Sequence, residues 1–284
     1  MRCRFQYGLA VVICLAAICP AQELKVPVGA VAGVGAAIGT SGSGTATFYL
    51  IGPSITLKRE VQLGQDISVA PKELLSAGKY IAIVCSGECR SASFFVSPAK
   101  PVSLAFLVHP SRAPVGLKDV ISGVALTFDE FQNMVLTPTT VTFQWSTKDA
   151  APASRQVSPH DGAAWFRASS GRTAGALQVT ASFGDVSTRR VVQQVASEPC
   201  RLSIKGQRTP KGIIVETDPV RDCTGNPVPD GTIVTFTAKN GKDTDTVDAP
   251  IKQGVARAQL STSGPVVVSA ASGVVMGNEL RVGQ

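Results

Sequence analysis

Two histidines, His109 and His160, are the only imidazoles in this chain, and they are widely separated in sequence. Hydrolysis through a histidine needs a nucleophile and an orienting carboxylate gathered around the ring. Neither a Gly-x-Ser-x-Gly elbow nor a His-Glu-x-x-His helix is present to begin such a site. The densest acidic run holds Asp243, Asp245 and Asp248. Carboxylates at that spacing can offer oxygen ligands to calcium, but the run lacks the glycine and closing glutamate of an EF-hand loop. Asn240-Gly241 directly before it is a hairpin signal. The run therefore reads first as a solvated hairpin, with calcium as the alternative. A non-catalytic chain without a cofactor is expected.

Seven cysteines are present, and three of them (Cys3, Cys14, Cys19) fall in an N-terminal segment with the marks of a secretory signal. That segment starts on Arg2 and Arg4, continues through an apolar run from Leu9 to Cys19, and ends at the small residue Ala21. The run is too short to span a bilayer, and no other run in the chain is long and apolar enough to do so. The four remaining cysteines are Cys85, Cys89, Cys200 and Cys223. An even count in an exported chain points to disulfides. Cys85 and Cys89 would clip a tight turn between two strands, and Cys200 and Cys223 bracket the opening strands of the last domain. Zinc would need four ligands, and neither histidine lies near a cysteine. Redox chemistry would favour Cys-x-x-Cys, which is absent.

The formal charge is +7, with only 17% of residues charged and no basic run. Nucleic acid recognition wants a dense basic patch with stacking aromatics, so that class is excluded. The glycine-rich stretch from Val28 to Gly44 has neither the Gly-Lys-Ser/Thr ending nor the Gly-x-Gly-x-x-Gly spacing of a phosphate loop. It reads as an edge strand plus a loop.

The strongest pattern is a repeat. Asp129, Asn133, Val135, Val141, Thr142 and Phe143 recur in register 93 positions on, as Asp222, Asn226, Val228, Val234, Thr235 and Phe236. A period of that size means two copies of one sandwich-sized domain. In the second copy Gly225-Asn226-Pro227 and Pro229-Asp230-Gly231 are turn chemistry. The stretch Thr232 to Thr237 then has the β-branched and aromatic composition of a strand. Alternation places Val234 and Phe236 on one inward face, and Val141, Phe143 and Trp145 on another.

These residues resemble the bacterial immunoglobulin-like domain of group 1, found in invasin- and intimin-type adhesins. That pattern runs from an Asp through a Gly-Asn-Pro-Val turn into a Val-Thr-Phe strand. Gly254-Val255-Ala256-Arg257-Ala258-Gln259-Leu260 and Val266 to Ala270 continue the likeness. The first copy follows more loosely, with Gln132-Asn133-Met134 in the turn, then Gly162 to Ala168 and Leu177 to Ala181. The resemblance covers about residues 101–284. It implies immunoglobulin-like sandwiches used as spacer or adhesion modules.

The expected architecture is all-β, with three tandem immunoglobulin-like sandwiches after a signal peptide. The leader is residues 1–21, the first domain 22–98, the second 99–197 and the third 198–284. Within the first, Ala77-Gly78-Lys79-Tyr80 is similar to the corner tyrosine of such sandwiches, and Pro71 to Leu75 is the one candidate helical turn. Aligning Gly162 with Gly254 sends Ala164, Phe166 and Ala168 inward and Trp165 and Arg167 outward. Trp165 and Arg167 are thus the candidate contacts for a ligand or a neighbouring domain. The expected role is an extracytoplasmic adhesion or spacer protein, meeting a protein or glycan at the cell surface. A periplasmic or secreted carbohydrate-binding or accessory module is the second expectation.

Overall fold

The computed structural model describes residues 23–148, 151–241 and 243–283. The expected leader therefore lies outside the described residues. The chain divides into two compact units, Met1–Ala99 and Lys100–Gln284.

The first unit contains β1 (Leu24–Lys25), β2 (Ala30–Val31), β3 (Ala36–Thr40), β4 (Thr45–Ile51), β5 (Thr56–Gln62), β6 (Ile67–Val69), β7 (Gly78–Ser86) and β8 (Glu88–Ser97). Strands β1-β3-β6 form one sheet and β2-β8-β7-β4-β5 the other. Alternation along β4 buries Ala46, Phe48 and Leu50 between the two sheets, as period-2 side chains require. The glycine-rich stretch supplies β2 and β3, and Ile38 of β3 is fully buried, so it is more than an edge and a loop. Pro71–Glu73 forms a single 3-10 turn. Tyr80, fully buried on β7, donates its hydroxyl hydrogen to the carbonyl of Ser76 at 3.0 Å. That local return bond is the corner tyrosine of the immunoglobulin-like sandwich.

The second unit holds two cores. The first involves β9 (Ser103–His109), β10 (Arg112–Pro114), β11 (Ile121–Phe128), β12 (Val141–Ser146), β13 (Ala153–Val157), β14 (Ala163–Ala168), β15 (Gly175–Phe183) and β16 (Val186–Val195). Their sheets are β9-β11-β14 and β10-β16-β15-β12-β13, which is the strand order of the first unit, position for position. The second core involves β17 (Ile204–Thr209), β18 (Gly212–Thr217), β19 (Ile233–Asn240), β20 (Asp243–Pro250), β21 (Arg257–Leu260), β22 (Val266–Ser272), β23 (Val275–Met276) and β24 (Leu280–Val282). Here β17-β18-β21 faces β20-β19-β22, with β23 and β24 both paired to β22.

The repeated strand does the same work in both cores. Val141 and Phe143 of β12, and Val234 and Phe236 of β19, are all fully buried. The cores differ in where bulk sits. In the first, one cross-strand row reads Phe166–Gly123–Val108; in the second, the equivalent row reads Ala258–Val215–Gly206. A Cβ on Gly123 would come within 2.3 Å of the Phe166 ring. One on Gly206 would come within 2.9 Å of a Val215 methyl. Interiors are close-packed, so each row keeps its volume by moving the glycine to a different strand.

Candidate functional site

The repeated Asp-x-x-x-Asn segment forms the same turn twice. In the first copy the buried Asp129 accepts hydrogen bonds on Oδ1 from the backbone amides of Phe131 (2.9 Å) and Asn133 (2.8 Å). In the second, the buried Asp222 accepts on Oδ1 from Thr224 (2.9 Å) and Asn226 (2.9 Å). A short carboxylate folding back on its own backbone satisfies amides that a tight turn would otherwise orphan. Gly225 holds φ +94° there, and Gln132 stands at the equivalent point with φ +66°. The sequence marked Gly225, Asn226 and Pro227 as turn formers. It gave Asp129 and Asp222 no job beyond alignment, although a recurring Asp four residues before a recurring Asn was the available signal.

The second copy goes further. Asp222 Oδ2 accepts from the Ser197 amide at 3.0 Å, and the Ser197 hydroxyl donates to the Val115 carbonyl at 2.6 Å. Asn226 Nδ2 donates to the Arg172 carbonyl at 2.7 Å, while its Oδ1 accepts from the Ala174 amide at 3.0 Å. A Cβ on Gly116 would lie 2.9 Å from the Thr224 methyl. This turn is therefore the fastening between the two sandwiches of the second unit. Asp222 is buried, which pushes its carboxyl up. Donors from Thr224, Ser197 and Asn226 outweigh that and hold it below the ordinary carboxylate range.

Both cysteine pairs are bonded. Cys85 and Cys89 face each other across the β7–β8 hairpin. Cys200 and Cys223 join with sulfurs 2.07 Å apart. Cys223 lies inside the fastening turn, and Cys200 follows the connecting residues at once. The bridge thus ties the connection to the turn as well as closing a loop.

The outer face of β9-β11-β14 carries Trp165 and Arg167, both exposed. Trp165 sits opposite Val124, and Val124 opposite Leu107. The corresponding row in the second core is Arg257–Glu216–Lys205. There Arg257 Nε donates to Glu216 at 2.9 Å and Lys205 lies 3.2 Å from its other oxygen. Hydrogen bonds from Arg257 and then Lys205 hold the Glu216 carboxyl below its usual range. The same lattice point is thus a closed ion row in one sandwich and an open apolar row in the other.

Over 93% of its length the chain superposes on FdeC, an Escherichia coli adhesin, covering 97% of that chain with a TM-score of 0.61 at 15% identity. The fold is that of the invasin-type adhesins. InvD of Yersinia pseudotuberculosis matches with a TM-score of 0.50 at 11% identity, over 92% of this chain and 96% of its own. Invasin, a bacterial integrin-binding protein, matches with a TM-score of 0.50 at 10% identity, and 59% of its length is covered. No family model and no curated protein sequence matches the chain.

In this invasin-type fold the acidic run lies on β20. Strand alternation sends Asp243 and Asp245 to one side and Asp248 to the other. Asp245 accepts from the Ser261 amide at 2.7 Å, and Asp248 from the Thr235 hydroxyl at 2.6 Å. The three carboxylates do not converge, which argues against the calcium alternative at this hairpin. Among the described residues no three His, Cys, Asp or Glu side chains gather where an ion could sit, and no helix is long and apolar enough to cross a membrane.

Proposed function

We propose that the chain is an exported, non-catalytic protein of three immunoglobulin-like modules, residues 22–98, 99–197 and 198–284, that spaces and presents a binding surface at the cell exterior. The observation that carries this reading is the fastening turn at Asp222 and Asn226. A free-swinging pair of domains needs no buried carboxylate at its joint, whereas a spacer that holds a surface at a set distance does. The shared fold with FdeC, InvD and invasin supports the same role. The partner is a protein or glycan at a cell surface. The test is protease treatment of intact cells of the native host, compared with cells whose envelope has been opened. Digestion on intact cells agrees with surface presentation. Protection until opening would overturn it in favour of a periplasmic accessory module, a reading that the open Trp165 face also suits.

A further inference from the structure

The open row on the outer face of β9-β11-β14 is the feature the spacer role leaves unused. Trp165 is 62% exposed and Leu107 66% exposed, with the half-buried Val124 between them and Leu126 beside it. Isolated exposed apolar side chains need no explanation, but these are cross-strand neighbours. The sandwich does not require apolar residues there, because the second core builds the same row from Arg257, Glu216 and Lys205.

Charge selects the occupant. None of the three strands carries an Asp or Glu, and Arg167 is their only formal charge. Arg167 is exposed, and its side chain makes no hydrogen bond or ion pair among the described residues. It lies two residues along β14 from Trp165, on the same face, a spacing of about 6.8 Å. Its row continues through Ser122 to His109. An indole platform thus stands beside a polar row headed by the unpaired Arg167 guanidinium, in which the Ser122 hydroxyl donates to the His109 carbonyl at 3.3 Å. A guanidinium matches a carboxylate with two parallel hydrogen bonds. A peptide adding to this sheet would pair with the outer edge of β14 or β9 through its backbone. Trp165 and Arg167 instead present side chains on the face, where a ring can stack and a carboxylate can pair.

We propose that this face binds a carboxylated polysaccharide, with a pyranose ring stacked on Trp165 and its carboxylate paired with Arg167. The inference names the ligand class for the binding surface proposed above and rests on that reading. Purified full chain is titrated with hexameric oligogalacturonate and with its methyl ester, following tryptophan fluorescence and calorimetric heat. The acid should bind, and Trp165→Ala should weaken it about tenfold or more. Arg167→Gln should weaken the acid about tenfold and leave the ester unchanged. Both positions point outward, so the melting temperature of each variant should match the parent. Absence of acid binding by the parent, or equal binding by Trp165→Ala, overturns the proposal. So does a concentration-dependent dimer in sedimentation that Trp165→Ala abolishes, which would give the face to a second copy of the chain. These measurements on purified protein are separate from the cell-shaving test, so either reading can fail alone.

Discussion

At the scale of single residues, Asp222 carries the most. Its carboxylate serves the Thr224, Asn226 and Ser197 amides at once. Asp222→Ala leaves those donors without an acceptor and should lower the stability of the last sandwich by about 3 kcal/mol, read by urea unfolding. The pH dependence has a definite sign. The folded-state pKa is lowered, so the contribution is complete above the unfolded value of about 3.9 and is lost as pH falls through the lower folded value. Acid titration of stability should therefore steepen below about pH 4 in the parent and flatten there in Asp222→Asn. An unchanged acid slope would show that other carboxylates set it. Gln132 makes the converse case. It holds the left-handed conformation that Gly225 adopts freely in the other copy. Gln132→Gly should stabilise the first copy by about 0.5–1 kcal/mol, because a side chain there crowds its own carbonyl. Loss of stability would mean that the Gln132 side chain makes up for its backbone.

At the scale of elements, the exchange of glycine between β11 and β17 explains how one fold tolerates two different cores. Gly123→Val alone should cost about 3 kcal/mol or more, since its side chain would overlap Phe166. Adding Phe166→Ala recreates the Ala258–Val215 arrangement and should recover at least about 1 kcal/mol of that loss in a double-mutant cycle. Strict additivity would break the claim that the two positions share one volume. The Cys200–Cys223 bridge belongs at this scale too. Cys200→Ser should lower the unfolding free energy of the last sandwich by about 3 kcal/mol and leave the preceding one unmoved. Equal melting of parent and variant without reductant would remove the bridge from the stability of the domain.

At the scale of the second unit, the joint is held by side chains of one turn reaching carbonyls and amides of the preceding sandwich. Asn226→Ala removes the acceptor for the Ala174 amide and the donor to the Arg172 carbonyl. Hydrogen exchange at Ala174 should quicken by about tenfold while the β19 amides keep their protection. Uniform quickening across the last sandwich would show a stability effect instead of a loosened joint.

The amino-acid order alone settled what depends on short-range chemistry. Alternating Val234 and Phe236, and Val141 and Phe143, put the inner strands in place, because a strand has only two faces and one must be dry. The outward direction of Trp165 and Arg167 followed from the same rule. The even cysteine count in an exported chain pointed to disulfides. What needed the tertiary structure was everything set by distant partners. Ser197 and Asp222 are 25 positions apart, and nothing local says that one amide finds the other's oxygen. The glycine-rich stretch became strands because Ile38 of β3 found a buried place between the two sheets. The contrast between an open Trp165–Val124–Leu107 row and a closed Arg257–Glu216–Lys205 row could not be seen until register set three strands side by side. Sequence determines which way a side chain faces; only packing decides what stands beside it.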